Sequence, residues 1–152
     1  MAKNTQLTSA MVNTQAGAIV TALQNGYLRI YSGTQPATAD TALSGNTLLA
    51  ELRFNATTAG VASGGVITFN GTTTASAASS SNPIGPNNAA ASGTATFFRC
   101  LQSDGTTVVF DGTVDVSANT PNLALNSTAL SSGAAVQINS FSHTVQKSTS
   151  GL

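Results

Sequence analysis

Helical periodicity occurs once in this chain and stops early, at Asn25-Gly26; the residues beyond it are patterned for strands. Val12, Ala16, Ile19, Val20 and Leu23 fall at i, i+4, i+7, i+8 and i+11, one apolar stripe that predicts a helix over 8–24. Thr8 or Ser9 is available as its N-cap. Asn25-Gly26 is the expected stop, because glycine enters the left-handed conformation that ends helices. The opposite face (Asn13, Gln15, Thr21, Gln24) is polar and uncharged. Such a helix either packs on a sheet or docks on a neighbouring subunit, and the first setting is favoured.

After Gly26 the period is 2. Tyr27-Leu28-Arg29-Ile30-Tyr31 alternates and breaks at Ser32-Gly33. Residues 33–47 carry loop chemistry, with Pro36 and Ser44-Gly45-Asn46. Leu48 to Phe54 reads as a strand with Leu48, Ala50, Leu52 and Phe54 on one face and Leu49, Glu51 and Arg53 on the other, where Glu51 and Arg53 are neighbours read as solvated. Val66-Ile67-Thr68-Phe69 and Thr94 to Leu101 are further strands, separated by a low-complexity loop over 72–93. Runs this long without structure of their own are usually functional or mobile. Asp111-Gly112 resembles a hairpin turn, yet Val108, Phe110, Val114 and Val116 keep one parity through it. A single strand over 107–116 preserves that face, with Gly112 at a bulge or a close contact. Leu123 and Leu125 mark another strand. Val136 and Ile138 lie on one parity and Phe141, His143 and Val145 on the other, so a β-bulge is expected at Asn139-Ser140. Seven or eight short strands after one helix predict a mainly β fold: an antiparallel β-sandwich, jelly-roll-like, with one N-terminal α-helix. The expected organisation is an arm at 1–7, a single domain at 8–146 and a tail at 147–152.

Charge narrows the chemistry. Only 7% of residues are charged, against about a quarter in ordinary domains. Five basic residues balanced by five acidic ones leave no basic stripe for phosphates, so nucleic acid is not an expected partner. No apolar stretch approaches the ~20 residues of a membrane span, and no membrane partner is expected. The opening Met1-Ala2-Lys3-Asn4-Thr5-Gln6 leads into no apolar signal region, so a cytoplasmic site of synthesis is expected. His143 alternates with Phe141 and Val145 and reads as a packed histidine rather than a general base. Cys100, within Phe97-Phe98-Arg99-Cys100-Leu101, reads as a buried thiol. One histidine and one cysteine far apart make no metal site. Asp111 and Asp115 share a strand face, as a glycosidase pair requires, but the chain has no Trp and few aromatics to line a cleft. Asp104 beside Gly105 is explained as a turn residue. No catalytic, cofactor-binding or metal-binding residue is assigned, and no cofactor is expected.

Several stretches together resemble a family of small tailed-phage proteins encoded among virion structural genes. They begin with Gly26-Tyr27-Leu28-Arg29-Ile30-Tyr31-Ser32-Gly33-Thr34-Gln35-Pro36-Ala37-Thr38-Ala39-Asp40 and Leu48-Leu49-Ala50-Glu51-Leu52. Ala91-Ser92-Gly93-Thr94-Ala95-Thr96-Phe97-Phe98-Arg99, Asp104-Gly105-Thr106-Thr107-Val108-Val109 and Asp111-Gly112-Thr113-Val114 continue the resemblance, and Leu123-Ala124-Leu125-Asn126-Ser127-Thr128 ends it. The similarity covers most of 20–145. It departs in the long segment 72–90 and at Phe97-Phe98, where the pattern would have a Trp. The resemblance implies a non-enzymatic head decoration (cement) protein on the capsid exterior, made in the host bacterial cytoplasm. Its implied partners are the major capsid protein and itself, as a dimer or a trimer. Residues 2–8 and the loop 72–93 are the expected contact segments. A tail or fibre component that binds host receptors or glycans is the alternative.

Overall fold

A computed structural model of the chain describes residues 6–69, 88–119 and 121–147. The expected contact segments fall largely outside these: of 2–8 only residues 6–8 are described, and of 72–93 only 88–93. The fold is mainly β, rich in antiparallel pairing and sandwich-like, with one N-terminal helix.

The helix α1 spans Ser9–Ala22. Thr8 is its N-cap, its hydroxyl oxygen accepting from the Met11 N–H at 3.2 Å. Val12 and Ala16 of the stripe are fully buried, as is Leu23 just past the end. The stop differs from expectation. Asn25, not Gly26, takes the left-handed conformation (φ 55°), with its N–H on the Asn55 carbonyl. Gly26 serves a different need: a Cβ there would sit 2.3 Å from the Leu101 carbonyl oxygen.

Among the described residues ten strands come after the helix: β1 Tyr27–Ser32, β2 Thr47–Arg53, β3 Gly60–Ser63, β4 Val66–Phe69, β5 Gly93–Thr94, β6 Phe97–Leu101, β7 Val108–Val116, β8 Leu123–Leu125, β9 Ala129–Leu130 and β10 Ile138–Thr144. Eight form one sheet in the order β2-β1-β6-β7-β8-β10-β4-β3, and β5 pairs with β9. The expected strand 94–101 is thus two strands. The chain leaves β9 and joins β1 at Ala95-Thr96, whose N–H groups donate to the Thr128 and Tyr31 carbonyls. β3 has no counterpart among the expected strands. It pairs with β4 through Gly64-Gly65, both at positive φ, the conformation of a tight two-residue hairpin.

One pair breaks the antiparallel rule: β7 and β8 run parallel, Val114 opposite Leu123. Residues 117–122 return the chain, far fewer than the dozen or so a parallel crossover takes. Among the described residues of the return is a 3₁₀ turn, Ser117–Asn119, capped by Asp115, whose carboxylate accepts from the Val116 N–H and the Asn119 amide.

The sheet curls over on itself. Phe54, next after edge strand β2, lies 5.5 Å from Phe69 in β4, near the other edge. Phe69 stacks on Phe141 at 4.1 Å, and Phe98 meets Phe110 and Phe141 edge-on at 5.7 and 5.0 Å. Phe54, Phe69, Phe98 and Phe141 therefore form the centre of one core, with the partly buried Phe110 packed against them. Emptying such a position costs about 3–5 kcal/mol, so this cluster anchors the fold. The strand through Gly112 is continuous, and the glycine is a close contact: an added Cβ would lie 2.9 Å from the Phe98 ring. The bulge at Asn139 is present, since Ile138 pairs with Leu125 and Ser140 with Ala124. Two further bulges occur at Leu49 and Val109. The first moves Leu48 opposite Tyr31, off the face shared by Ala50 and Leu52, and brings Leu49 into the core.

The tail and arm meet. The Leu7 N–H donates to the Lys147 carbonyl at 3.0 Å, and Lys147 Nζ donates to the Ser9 hydroxyl at 3.1 Å. Residues 88–93, within the expected loop, are pinned: the Ala89 N–H donates to the Ala134 carbonyl and the Ala90 N–H to the Leu49 carbonyl.

Candidate functional site

Strand alternation places Leu28, Ile30, Phe98 and Cys100 in the core and turns the residues between them outward. The register then aligns the outward residues in rows across four strands. Glu51 faces Arg29, Arg29 faces Arg99, and Arg99 faces Asp111, a row of charges ordered minus, plus, plus, minus. Beside it Tyr31 stacks on Phe97 at 5.3 Å. On the other side the Tyr27 ring lies under the Arg53 guanidinium at 4.4 Å.

This outer layer is covered rather than solvated. Arg99 is 4% exposed. Its Nη2 donates to Asp111 Oδ2 at 3.0 Å and its Nη1 to the Thr41 carbonyl at 3.1 Å. Gln35 Nε2 donates to the second Asp111 oxygen at 2.9 Å. The segment 33–46 is thereby strapped over the sheet. Thr96 Oγ1 donates to the Gly33 carbonyl and Asn46 Nδ2 to the Thr34 carbonyl, which fix its two ends. Arg99 Nε is buried without a partner. A buried ion pair contributes to stability only with good geometry and satisfied neighbours, so its role here is to fix the strap's position.

The Arg29–Glu51 pair is more open, with each side chain a quarter exposed and Nε–Oε2 at 2.6 Å. Arg29 Nη1 also donates to the Gly105 carbonyl at 3.0 Å, tying the β6–β7 turn to β1. Burial opposes the Arg29 charge, but Glu51 and Tyr31 together outweigh it, and the Arg29 pKa is raised. Burial raises the Tyr31 phenol, against the pull of Arg29 and Arg99. The expectation that Glu51 and Arg53 sit solvated is corrected: Glu51 holds Arg29, and Arg53 Nη2 donates to the Asn25 carbonyl at 2.8 Å.

The residues with potential chemistry are kept apart by these engagements. His143 lies 4.6 Å from Phe110 ring to ring, and burial lowers its pKa. No hydrogen bond links it to a carboxylate or hydroxyl among the described residues. Cys100 is fully buried, which pushes its thiol well up. Asp111 faces Arg99, and Asp115 caps the 3₁₀ turn. Asp104 accepts from the Thr107 hydroxyl and the Thr106 and Thr107 N–H groups, which hold its pKa down to about 2. Among the described residues, no three His, Cys, Asp or Glu side chains gather as a metal site, and no helix is long and apolar enough to cross a membrane.

Sequence reasoning missed the outer layer. Its signal was Arg99, a lone cation inside Phe97-Phe98-Arg99-Cys100-Leu101, which calls for a covered counter-charge. No protein-family model, curated protein or solved structure matches this chain.

Proposed function

We propose that this chain is a non-enzymatic structural protein of a tailed-phage virion, a head decoration protein that binds the major capsid protein lattice and stabilises the shell. The observation that carries this reading is the internal use of charge. Arg29, Glu51, Arg53, Arg99, Asp104, Asp111 and Asp115 all serve ion pairs, turns or caps within the fold. Besides Lys3, Asp40 and Lys147, what remains for partners is a surface of hydroxyls, amides and small apolar groups. Such a surface suits a repeated contact, where many modest interfaces act together. It also gives salt few ion pairs to screen. The resemblance of 26–40, 91–99 and 104–114 to virion proteins supports the same role.

Copy number in purified particles tests the reading. Capsomer-scale stoichiometry by quantitative mass spectrometry is the expected result, with rebinding to stripped shells nearly unchanged between low and high salt. A few dozen copies per particle would favour a tail or fibre component instead. Absence from mature particles would refute both.

A further inference from the structure

The helix and the β3–β4 hairpin form one corner of the molecule. α1 packs on both strands, and the Val12 side chain lies against Gly65 in the hairpin turn. The sheet order ends β8-β10-β4-β3, so β4 meets the other strands through β10. That seam is short. Three register pairs make it: Ser142 with Thr68, His143 with Ile67 and Thr144 with Val66. The Val145 N–H extends it by donating to the Gly65 carbonyl at 2.8 Å.

The chain's one histidine stands in the middle of the seam. Residues paired across antiparallel strands share a face, so His143 lies on the side of the fully buried Ile67. Its ring stacks on Phe110 at 4.6 Å, and Phe110 packs on Phe69 at 6.1 Å. Strands β4, β7 and β10 therefore meet at this imidazole. It is half-buried, so a charge on it loses part of its hydration.

No facing group compensates that charge. α1, β3, β4 and β8 carry no charged residue, and β10 has no titratable group besides His143. Asp111 and Asp115 of β7 alternate with Phe110 and Val114 and so lie on the opposite face, serving Arg99 and the 3₁₀ turn. Cys100, opposite Phe110, is a buried thiol that burial keeps neutral. Lys147, beyond the seam, donates to Ser9. Lys3 lies outside the described residues, and 70–87, also outside them, contain no charged residue.

We infer that His143 is an acid-sensitive latch: protonation of its ring loosens the β4–β10 seam and frees the α1–hairpin corner while the rest of the sheet holds. An imidazolium is drawn towards water, off Phe110 and away from Ile67. Because His143 is the central pair of three, its backbone moves with the ring. Strands β1, β2, β6 and β7 contain no histidine and have no matching response. The inference concerns the folded chain and stands apart from the virion reading.

Hydrogen–deuterium exchange of the full chain tests it, read by mass spectrometry at about pH 7.5 and about pH 5 and corrected for intrinsic rates; carboxylates with ordinary values near 4 stay mostly charged at both. Opening returns the ring to its ordinary 6.5, so the seam's opening equilibrium rises by at most about 30-fold at pH 5. The expected result is a gain in exchange of about 3- to 30-fold in peptides covering 61–69 and 142–145, with β1, β2 and β6 unchanged. His143→Phe and His143→Gln should each abolish the gain, and either variant that folds suffices. An unchanged seam, an equal gain in every strand, or a gain that persists in a variant would overturn the inference. So would greater protection at pH 5, which would mean that Phe110 holds the imidazolium as a cation–π pair.

Discussion

Asp111→Ala removes one half of a pair whose other half cannot escape to water. The Arg99 and Asp111 side chains are 5% and 8% exposed. Arg99 would keep the Thr41 carbonyl but lose its counter-charge, and its Nε already has no partner. Gln35 would lose its acceptor in the same step. Breaking a buried pair from one side costs about 3–5 kcal/mol. For a domain of this size that corresponds to roughly 6–20 °C in Tm. With a urea m-value of about 2 kcal/mol/M, the midpoint should fall by roughly 1.5–2.5 M. Protease cleavage within 33–46 should rise, because the strap loses its Gln35 anchor and its Thr41 anchor is held by an arginine without its counter-charge. The double variant Arg99→Met, Asp111→Leu removes both charges and should recover most of the loss. The reasoning is refuted if D111A shifts stability by less than about 1 kcal/mol, or if the double variant is no better than the single.

Two glycine substitutions should move stability in opposite directions. Gly26→Ala drives a methyl into the Leu101 carbonyl and should cost about 1–3 kcal/mol in chemical denaturation. Gly17→Ala, inside α1 with open space around it, should gain roughly 0.5–1 kcal/mol. The pH dependence of His143 comes from burial, which lowers its folded pKa below the ordinary 6.5. The unfolded chain therefore binds the proton more tightly. The contribution is complete above 6.5 and lost as pH falls from there through the folded value. Melting curves across that window should slope for wild type and flatten for His143→Phe, which keeps a ring on Phe110; an equal slope in both would reject the assignment.

Bulges divide into those legible from the sequence and those that are not, and the reason is local. At Asn139-Ser140 the extra residue is polar, so the shift from Ile138 to Phe141 shows as broken parity. At Leu48-Leu49 and Val108-Val109 both residues of the doublet are apolar, so either parity looks continuous. The strand through Gly112 was legible because Phe110 and Val114 keep one parity across the glycine; the expected sharing of that face by Val108 is undone by the bulge at Val109. β3 was not, since four small residues carry little periodic signal; Gly64-Gly65 was the available cue. The parallel placement of β8 depends on which strands find each other across the core, which local pattern does not encode. The charge row needs cross-strand register, so nothing in the positions of Arg29, Glu51, Arg99 and Asp111 along the chain shows that they act as one row. Burial of Cys100 and the turn role of Asp104 were legible because a neighbouring residue or run explains each.

Arg99 grips Thr41 by its main-chain oxygen, while Gln35 is held by its own side chain. Residues 36–40 lie between two fixed posts, and the Thr38 carbonyl already accepts from the Thr41 N–H to close a turn there. Lengthening a loop whose ends stay put costs only about 0.6 kcal/mol per doubling. Foreign peptide grafted at this tip should therefore be carried without loss of the scaffold, between two posts that the sheet itself holds.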